Sequence, residues 1–68
     1  MRQRFRAARE AKGLTQEQLA SLVGVKRTAI CKIEAGTRKP SLDVALRLER
    51  ILGRSARYLL TQEPQKTA

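Results

Sequence analysis

The chain has 68 residues, which suffice for one small domain but not for a deep catalytic cavity. Fifteen Lys and Arg residues against six Asp and Glu residues give a formal net charge of +9, so nucleic acid or an anionic membrane surface is the expected partner. A single cysteine and no histidine exclude an internal disulfide and a Cys–His zinc site, and we expect no metal and no cofactor.

Glycine and proline residues divide the chain into short segments with helical periodicity, and we predict five helices. The first spans residues 2 to about 12, and Gly13 is its expected C-cap. Thr15 and Gln18 stand three residues apart, which is the spacing of a capping box. A second helix is therefore expected to begin there and to continue to Val23.

The second half of the chain predicts three more helices and a polar tail. The third helix covers residues 26–35, and the fourth and fifth cover 41–52 and 55–60, each beginning with a serine that can act as N-cap. We expect a cytoplasmic protein, because no segment has the length of a membrane span or the layout of a signal peptide, and the short helices do not suit a membrane surface. Residues 1–61 are predicted to form one domain, and residues 62–68 a disordered tail.

The third helix has two faces of opposite chemistry. Counted at 100° per residue, its apolar side chains fall together on the side expected to face the core. They are Ala29, Ile30 and Ile33. The side expected to face outward carries Arg27, Thr28, Cys31 and Lys32. Cationic and hydroxyl donors on a rigid helix suit the base edges in the major groove of DNA, although a basic helix face is also common as plain solvated surface.

An ordered set of residues runs through most of the chain. It consists of Arg9-Glu10-x-Lys12-Gly13-Leu14-Thr15-Gln16-Glu17-Gln18-Leu19-Ala20, then Gly24-Val25, Ile30, Ile33-Glu34-x-Gly36 and Pro40-Ser41-Leu42. This set, within residues 5–60, resembles the Cro/CI-type, or Xre-type, family of helix-turn-helix repressors. The resemblance implies an all-α, five-helix domain like that of lambda repressor, with the helix-turn-helix formed by the second and third helices. It also implies a small bacterial or phage regulator of transcription whose partner is double-stranded DNA.

The resemblance divides the candidate DNA contacts between base reading and phosphate binding. The base-reading candidates are the outward residues of the third helix, Arg27, Thr28, Cys31 and Lys32. The phosphate-binding candidates lie at the start of the second helix, just before the third, and in the loop after the third. They are Gln16, Lys26, Thr37, Arg38 and Lys39.

Arg9 and Glu34 match the internal ion pair of the family. Each lies about 40° from a buried apolar position on its predicted helix, so we expect the pair to bridge the first and third helices. The expected role is structural, because removing either partner leaves an uncompensated, partly buried charge.

Three features depart from the family pattern. Lys26 stands where the family commonly has a Ser or Thr cap, so either it contacts phosphate or the first turn of the third helix is frayed. Glu49 falls on the side of the fourth helix expected to face inward, amid Leu42, Ala45, Leu46 and Leu52. We expect it to pair with an arginine. A basic stripe, which is either solvated surface or a contact for an acidic partner or flanking DNA, is formed by Arg47, Arg50, Arg54 and Arg57.

The small size of the DNA-reading helix and the family resemblance both favour a homodimer. One helix reads only a few base pairs, and a two-fold repeat doubles the contacts. The candidate dimer surface consists of Tyr58, Leu59 and Leu60, which can equally close the core. The alternative function is that of a protein-binding module, such as an antitoxin or an adaptor, that uses the same fold on a protein partner. The sequence has no Gly-rich phosphate loop and no acid–base cluster of carboxylates, so we do not expect an enzyme.

Overall fold

The computed structural model describes residues 2–61, and this part of the chain forms α-helices and no strand. The helices are α1 (Gln3–Ala11), α2 (Gln16–Val23), α3 (Arg27–Ala35), α4 (Leu42–Leu52) and α5 (Ala56–Leu60). The predicted all-α, five-helix architecture is confirmed, and the helix ends agree within about one residue, the usual scatter of helix boundaries. No helix of the described part is long and apolar enough to cross a membrane. The predicted tail, residues 62–68, lies outside the described residues.

Side-chain caps determine where three of the helices begin. The Thr15 hydroxyl accepts a hydrogen bond from the Gln18 backbone N–H at 3.1 Å, and the Gln18 side chain accepts one from the Thr15 N–H at 3.0 Å. The predicted capping box is therefore confirmed. Two serines each accept a bond from the N–H three residues further on, Ser41 for α4 and Ser55 for α5. The C-cap of α1 is Lys12 rather than the predicted Gly13, which follows it in the left-handed conformation.

The core is built from apolar side chains of all five helices. The members that are at most 3% exposed are Phe5, Leu19, Ala20, Val23, Ile30, Ile33, Leu48, Leu52 and Leu59. Two roles were open for the apolar residues of α5, and Leu59 takes the core-closing one, because its side chain is fully buried. Its neighbours on α5 keep some exposure, since Leu60 is half-buried and Tyr58 is 38% exposed.

A buried carboxylate connects the first three helices. Glu34 of α3 is 1% exposed and accepts two hydrogen bonds from the Arg9 guanidinium of α1, at 2.9 Å and 3.1 Å. It also accepts one from the Gln16 amide at the start of α2, at 3.4 Å. A further N–H of Arg9 donates to the Leu14 carbonyl at 2.7 Å. The hydrogen bond to Glu34 is the main cause that raises the pKa of Arg9 above its usual value, so the cation stays charged.

Arg2 is a second cation inside the fold, 7% exposed. Its backbone N–H donates to the Glu34 carbonyl at 2.7 Å. Its guanidinium donates to the Ile33 carbonyl at 2.7 Å, to the Arg38 carbonyl at 2.9 Å and to the Leu60 carbonyl at 3.3 Å. One side chain therefore joins the end of α3, the loop that follows it and the end of α5.

Two charged side chains of α4 bind the ends of neighbouring helices. Arg47 donates to the carbonyl of Val23, the last residue of α2, at 2.9 Å, so this member of the basic stripe is more than solvated surface. Glu49 accepts from the N–H of Ala56, the first residue of α5, at 2.8 Å. Glu49 does find a partner, but the partner is a backbone N–H where the sequence suggested an arginine. The reason is that the start of a helix presents N–H groups that have no acceptor within the helix.

We expect Glu34→Ala to lower the free energy of unfolding by about 3 kcal/mol, because Arg9 then keeps a partly buried charge without a counterion. In a domain of this size the melting temperature should fall by more than about 10 °C. The matched control is Glu10→Ala, which breaks an exposed pair with Arg6 (3.3 Å) and should change the melting temperature by less than about 3 °C. Equal melting temperatures of the two variants, measured by circular dichroism, would contradict the structural role of the buried pair.

Candidate nucleic-acid interface

A tight turn joins α2 to α3. The N–H groups of Gly24 and Val25 both donate to the Ala20 carbonyl, at 2.8 Å and 3.0 Å. Gly24 has a φ of +85°, which favours glycine, and a Cβ there would lie 3.4 Å from the Arg47 guanidinium. Ala20 is 2% exposed and Ile30 is fully buried, so a small side chain on α2 lets α3 approach closely. The two helices and the turn form a helix-turn-helix.

The outward side of α3 is a continuous exposed face, which we call the α3 face. It consists of Arg27, Thr28, Cys31 and Lys32. None of these four side chains makes a hydrogen bond or an ion pair with another residue of the described part. The opposite side of α3 is fixed in the core by the buried Ile30 and Ile33. The helix therefore holds the four side chains rigidly while leaving their donors and apolar atoms available to a ligand.

The N-terminal end of α3 combines an exposed cation with backbone donors. Lys26 is the N-cap residue, and its side chain makes no capping hydrogen bond, because an ammonium group cannot accept one. The first N–H groups of a helix lack acceptors within the helix, and the helix dipole gives this end a partial positive charge. The arrangement suits an anion such as a phosphate.

The loop between α3 and α4 carries the exposed residues Thr37, Arg38 and Lys39. The Thr37 hydroxyl donates to the Lys32 carbonyl at 3.2 Å, so it closes α3 and must leave that bond before it can donate to a phosphate. The side chains of Arg38 and Lys39 have no partner within residues 2–61. The Arg38 carbonyl is held by Arg2, which fixes the loop against the end of α3.

Gln16 is the one half-buried member of the predicted contact set. Its amide nitrogen donates to Glu34, so one of its two N–H donors is used inside the domain and the other remains. Glu34 lies in the last turn of α3, just before the loop. The structure thus brings the start of α2 to the side of the domain from which the loop starts.

Arg2 supports this surface, and sequence reasoning does not identify it. A charged residue ahead of a helix is ordinarily exposed, and the burial of Arg2 depends on carbonyl groups that are remote in the sequence. No local pattern in the sequence signals such a contact. Its effect on the surface is indirect, because it holds the backbone of the loop while its own guanidinium faces inward.

The chain is similar to known proteins along most of its length. The helix-turn-helix family model matches residues 5–59. An HTH-type transcriptional regulator of Methanothermobacter thermautotrophicus is 50% identical over 54 residues, which are 79% of this chain and 78% of that protein. Another, of Archaeoglobus fulgidus, is 45% identical over 51 residues, which are 75% of this chain and 73% of the relative.

A solved structure extends the likeness to three dimensions. The restriction-modification controller protein C.AhdI from Aeromonas hydrophila superimposes with a TM-score of 0.73 at 44% sequence identity, covering 84% of this chain and 86% of that chain. The family match includes α2, α3 and the turn between them. The chain belongs to the Cro/CI-type, or Xre-type, family of helix-turn-helix transcriptional regulators.

Proposed function

We propose that this protein binds double-stranded DNA in a sequence-specific manner, inserting α3 into the major groove, and that it acts as a homodimeric repressor on an inverted repeat. The observation that carries the proposal is the α3 face, four exposed side chains without partners in residues 2–61 on the second helix of a helix-turn-helix. Membership of a family of transcriptional regulators and the likeness to a controller protein support the regulatory role.

Base reading falls to the α3 face. Arg27 and Lys32 carry donors that reach O6 and N7 of guanine, while Thr28 and Cys31 can contact the methyl group of thymine. Arg27 and Thr28 lie in the first turn of α3, which helix-turn-helix proteins push deepest into the groove. These two residues should therefore contribute most to the choice of sequence.

Phosphate binding falls to the residues around α3. Lys26, Arg38 and Lys39 are exposed cations, and Gln16 keeps one N–H donor for the same purpose. Thr37 would join them by exchanging its bond to the Lys32 carbonyl for one to a phosphate. Contacts of this kind raise affinity for every sequence alike and weaken as salt rises. The net charge of +9 further speeds the approach to DNA.

A dimer on an inverted repeat follows from the size of the reading surface. One helix contacts only a few base pairs, and two copies related by two-fold symmetry read two half-sites about one helical turn apart. Repression follows where such a site overlaps a promoter, because the bound dimer excludes the polymerase. The α3 face binds and positions groups without covalent chemistry, and we propose no enzymatic activity.

Selection of random duplex DNA by the purified protein should recover an inverted repeat. Arg27→Ala should weaken binding to the recovered site by about 1 to 3 kcal/mol and relax the preference at one base pair of each half-site. Lys39→Ala should instead weaken binding to all sequences and lower the slope of log affinity against log salt by about one. The matched control, Arg57→Ala, removes the same charge on α5 and should leave the base preference unchanged.

The proposal fails if selection returns no motif, and if binding to DNA is weak, purely electrostatic and insensitive to Arg27→Ala. A largely apolar protein interface, as an antitoxin or adaptor would use, loses little affinity as salt rises. If DNA selection fails in this way, the α3 face becomes the candidate surface for a protein partner.

Lys26→Ser should act in opposite directions on folding and on DNA binding. The serine hydroxyl can accept a bond from the first turn of α3, so the free energy of unfolding should rise by about 1 kcal/mol. The loss of a phosphate contact should weaken binding to all sequences. Lys39→Ser is the control for charge, since it should weaken DNA binding without raising the melting temperature. Tighter DNA binding by Lys26→Ser would refute the phosphate contact.

A further inference from the structure

The outer side of α4 exposes more apolar surface than a single domain needs. Leu42 is 74% exposed and Leu46 is 50% exposed, although the helical periodicity predicts both on the inward side of this helix. They lie one turn apart, about 40° from each other around the helix axis. The inward side is filled instead by Ala45, Leu48 and Leu52. Neighbouring exposed leucines of this kind commonly mark a contact with another protein.

Two opposite charges flank these leucines. Asp43 lies about 4.5 Å before Leu46 along the axis of α4, and Arg50 lies about 6 Å after it, both displaced to the same side by about 40° to 60°. Neither charged side chain makes a hydrogen bond or an ion pair with another residue of the described part. A shallow groove of about 290 Å³ between the outer side chains of α4 is lined by Asp43, Leu46, Arg47, Glu49 and Arg50.

We propose that two copies of this chain associate through α4, antiparallel to each other, with the two-fold axis beside Leu46. Such an axis reverses the direction of the helix but keeps the side on which a residue lies. Asp43 therefore faces the partner's Arg50, and Arg50 faces the partner's Asp43, so that the same ion pair forms twice. The two copies of Leu46 meet at the centre and are buried in the grooves. This inference rests on the proposed function for the use of the dimer, and on α4 alone for its geometry.

Other arrangements fit the charges less well. A parallel pairing of α4 would place Arg50 at the same height as the partner's Arg50, and Asp43 at the same height as the partner's Asp43, so that neither charge meets an opposite one. A contact through α5 would centre on Tyr58, whose ring already lies 4.8 Å from the Arg4 guanidinium and 5.1 Å from the Arg54 guanidinium of its own chain. Two such surfaces facing each other would bring the Arg54 guanidinium groups of both copies together. Charge complementarity thus favours the antiparallel α4 contact over the other two.

Exchanging the charges of Asp43 and Arg50 tests the pairing. Dimerisation of each variant is measured by sedimentation equilibrium without DNA. Asp43→Arg and Arg50→Asp should each weaken dimerisation roughly tenfold or more, because each creates two like-charge contacts. The double variant Asp43→Arg/Arg50→Asp should restore dimerisation to within about threefold of the wild type. Thermal unfolding shows whether each variant still folds, so that loss of the dimer is distinguished from loss of the fold. Only the proposed pairing predicts that the double variant recovers dimerisation.

A crosslink tests the position of the axis. In a Cys31→Ser background, Leu46→Cys should form a disulfide between two copies under mild oxidation, because the axis brings the two thiols together. Leu22→Cys in the same background, at another exposed leucine (59%) on α2, is the matched control and should form no disulfide between copies. A crosslink at Leu22 but not at Leu46 would overturn the proposed contact.

Three further results would overturn the inference. They are a wild type that stays monomeric at every concentration, a double variant that stays as weak as the single ones, and a Tyr58→Ala variant that dissociates while the charge variants do not. The test is independent of DNA reading. A dimer that selects no DNA motif would contradict the proposed DNA reading and leave the α4 contact standing. A sequence-specific monomer would contradict the α4 contact and the proposed homodimer but leave base reading by the α3 face standing.

Discussion

The orientation of α3 depends on the hydrogen bonds that the carboxylate of Glu34 accepts. It accepts from Arg9 of α1 and from Gln16 of α2, so one side chain of α3 is fixed from both helices that pack against it. A buried ion pair contributes little to stability relative to a well-packed apolar pair, because both charges lose their hydration. Its directional hydrogen bonds instead favour one rotation of α3. That rotation decides which side chains form the α3 face.

The same end of α3 also holds the loop. Arg2 donates to the carbonyl groups of Ile33 and Arg38, and its own N–H donates to the Glu34 carbonyl. The rigid helix and the cationic loop are thereby fixed to one point of the backbone. In the proposed complex with DNA, this common support would keep the base-reading side chains in register with the phosphate contacts, as sequence-specific binding requires.

Features encoded locally could be predicted from the sequence. The capping box at Thr15 and the serine caps involve residues three apart, so their spacing alone indicates them, and the 3.6-residue period separates the α3 face from Ile30 and Ile33. Features that depend on another part of the chain could not. The burial of Arg2, and the bond from Ala56 to Glu49, need partners that only the folded domain brings near.

The periodicity of α4 and α5 shows a related limit. An apolar stripe indicates which side of a helix is less polar, but not how much of that stripe the rest of a small domain can cover. Leu59 therefore closes the core, one of the two roles that the sequence left open for it, while Leu42 and Leu46 are exposed where we predicted the interior. The burial of Leu59 reduces the apolar surface that α5 offers to a second copy, and the exposed leucines of α4 increase the surface offered there.

The central claim, that DNA covers the α3 face, can be tested on the unmodified protein through Cys31, the one cysteine of the chain. This thiol is exposed and should react readily with a maleimide in the free protein. The account predicts that a selected DNA site slows the alkylation of Cys31 strongly, and that protein alkylated beforehand no longer binds the site. An alkylation rate unchanged by saturating DNA would contradict the account, because the outward side of α3 would then be free in the complex.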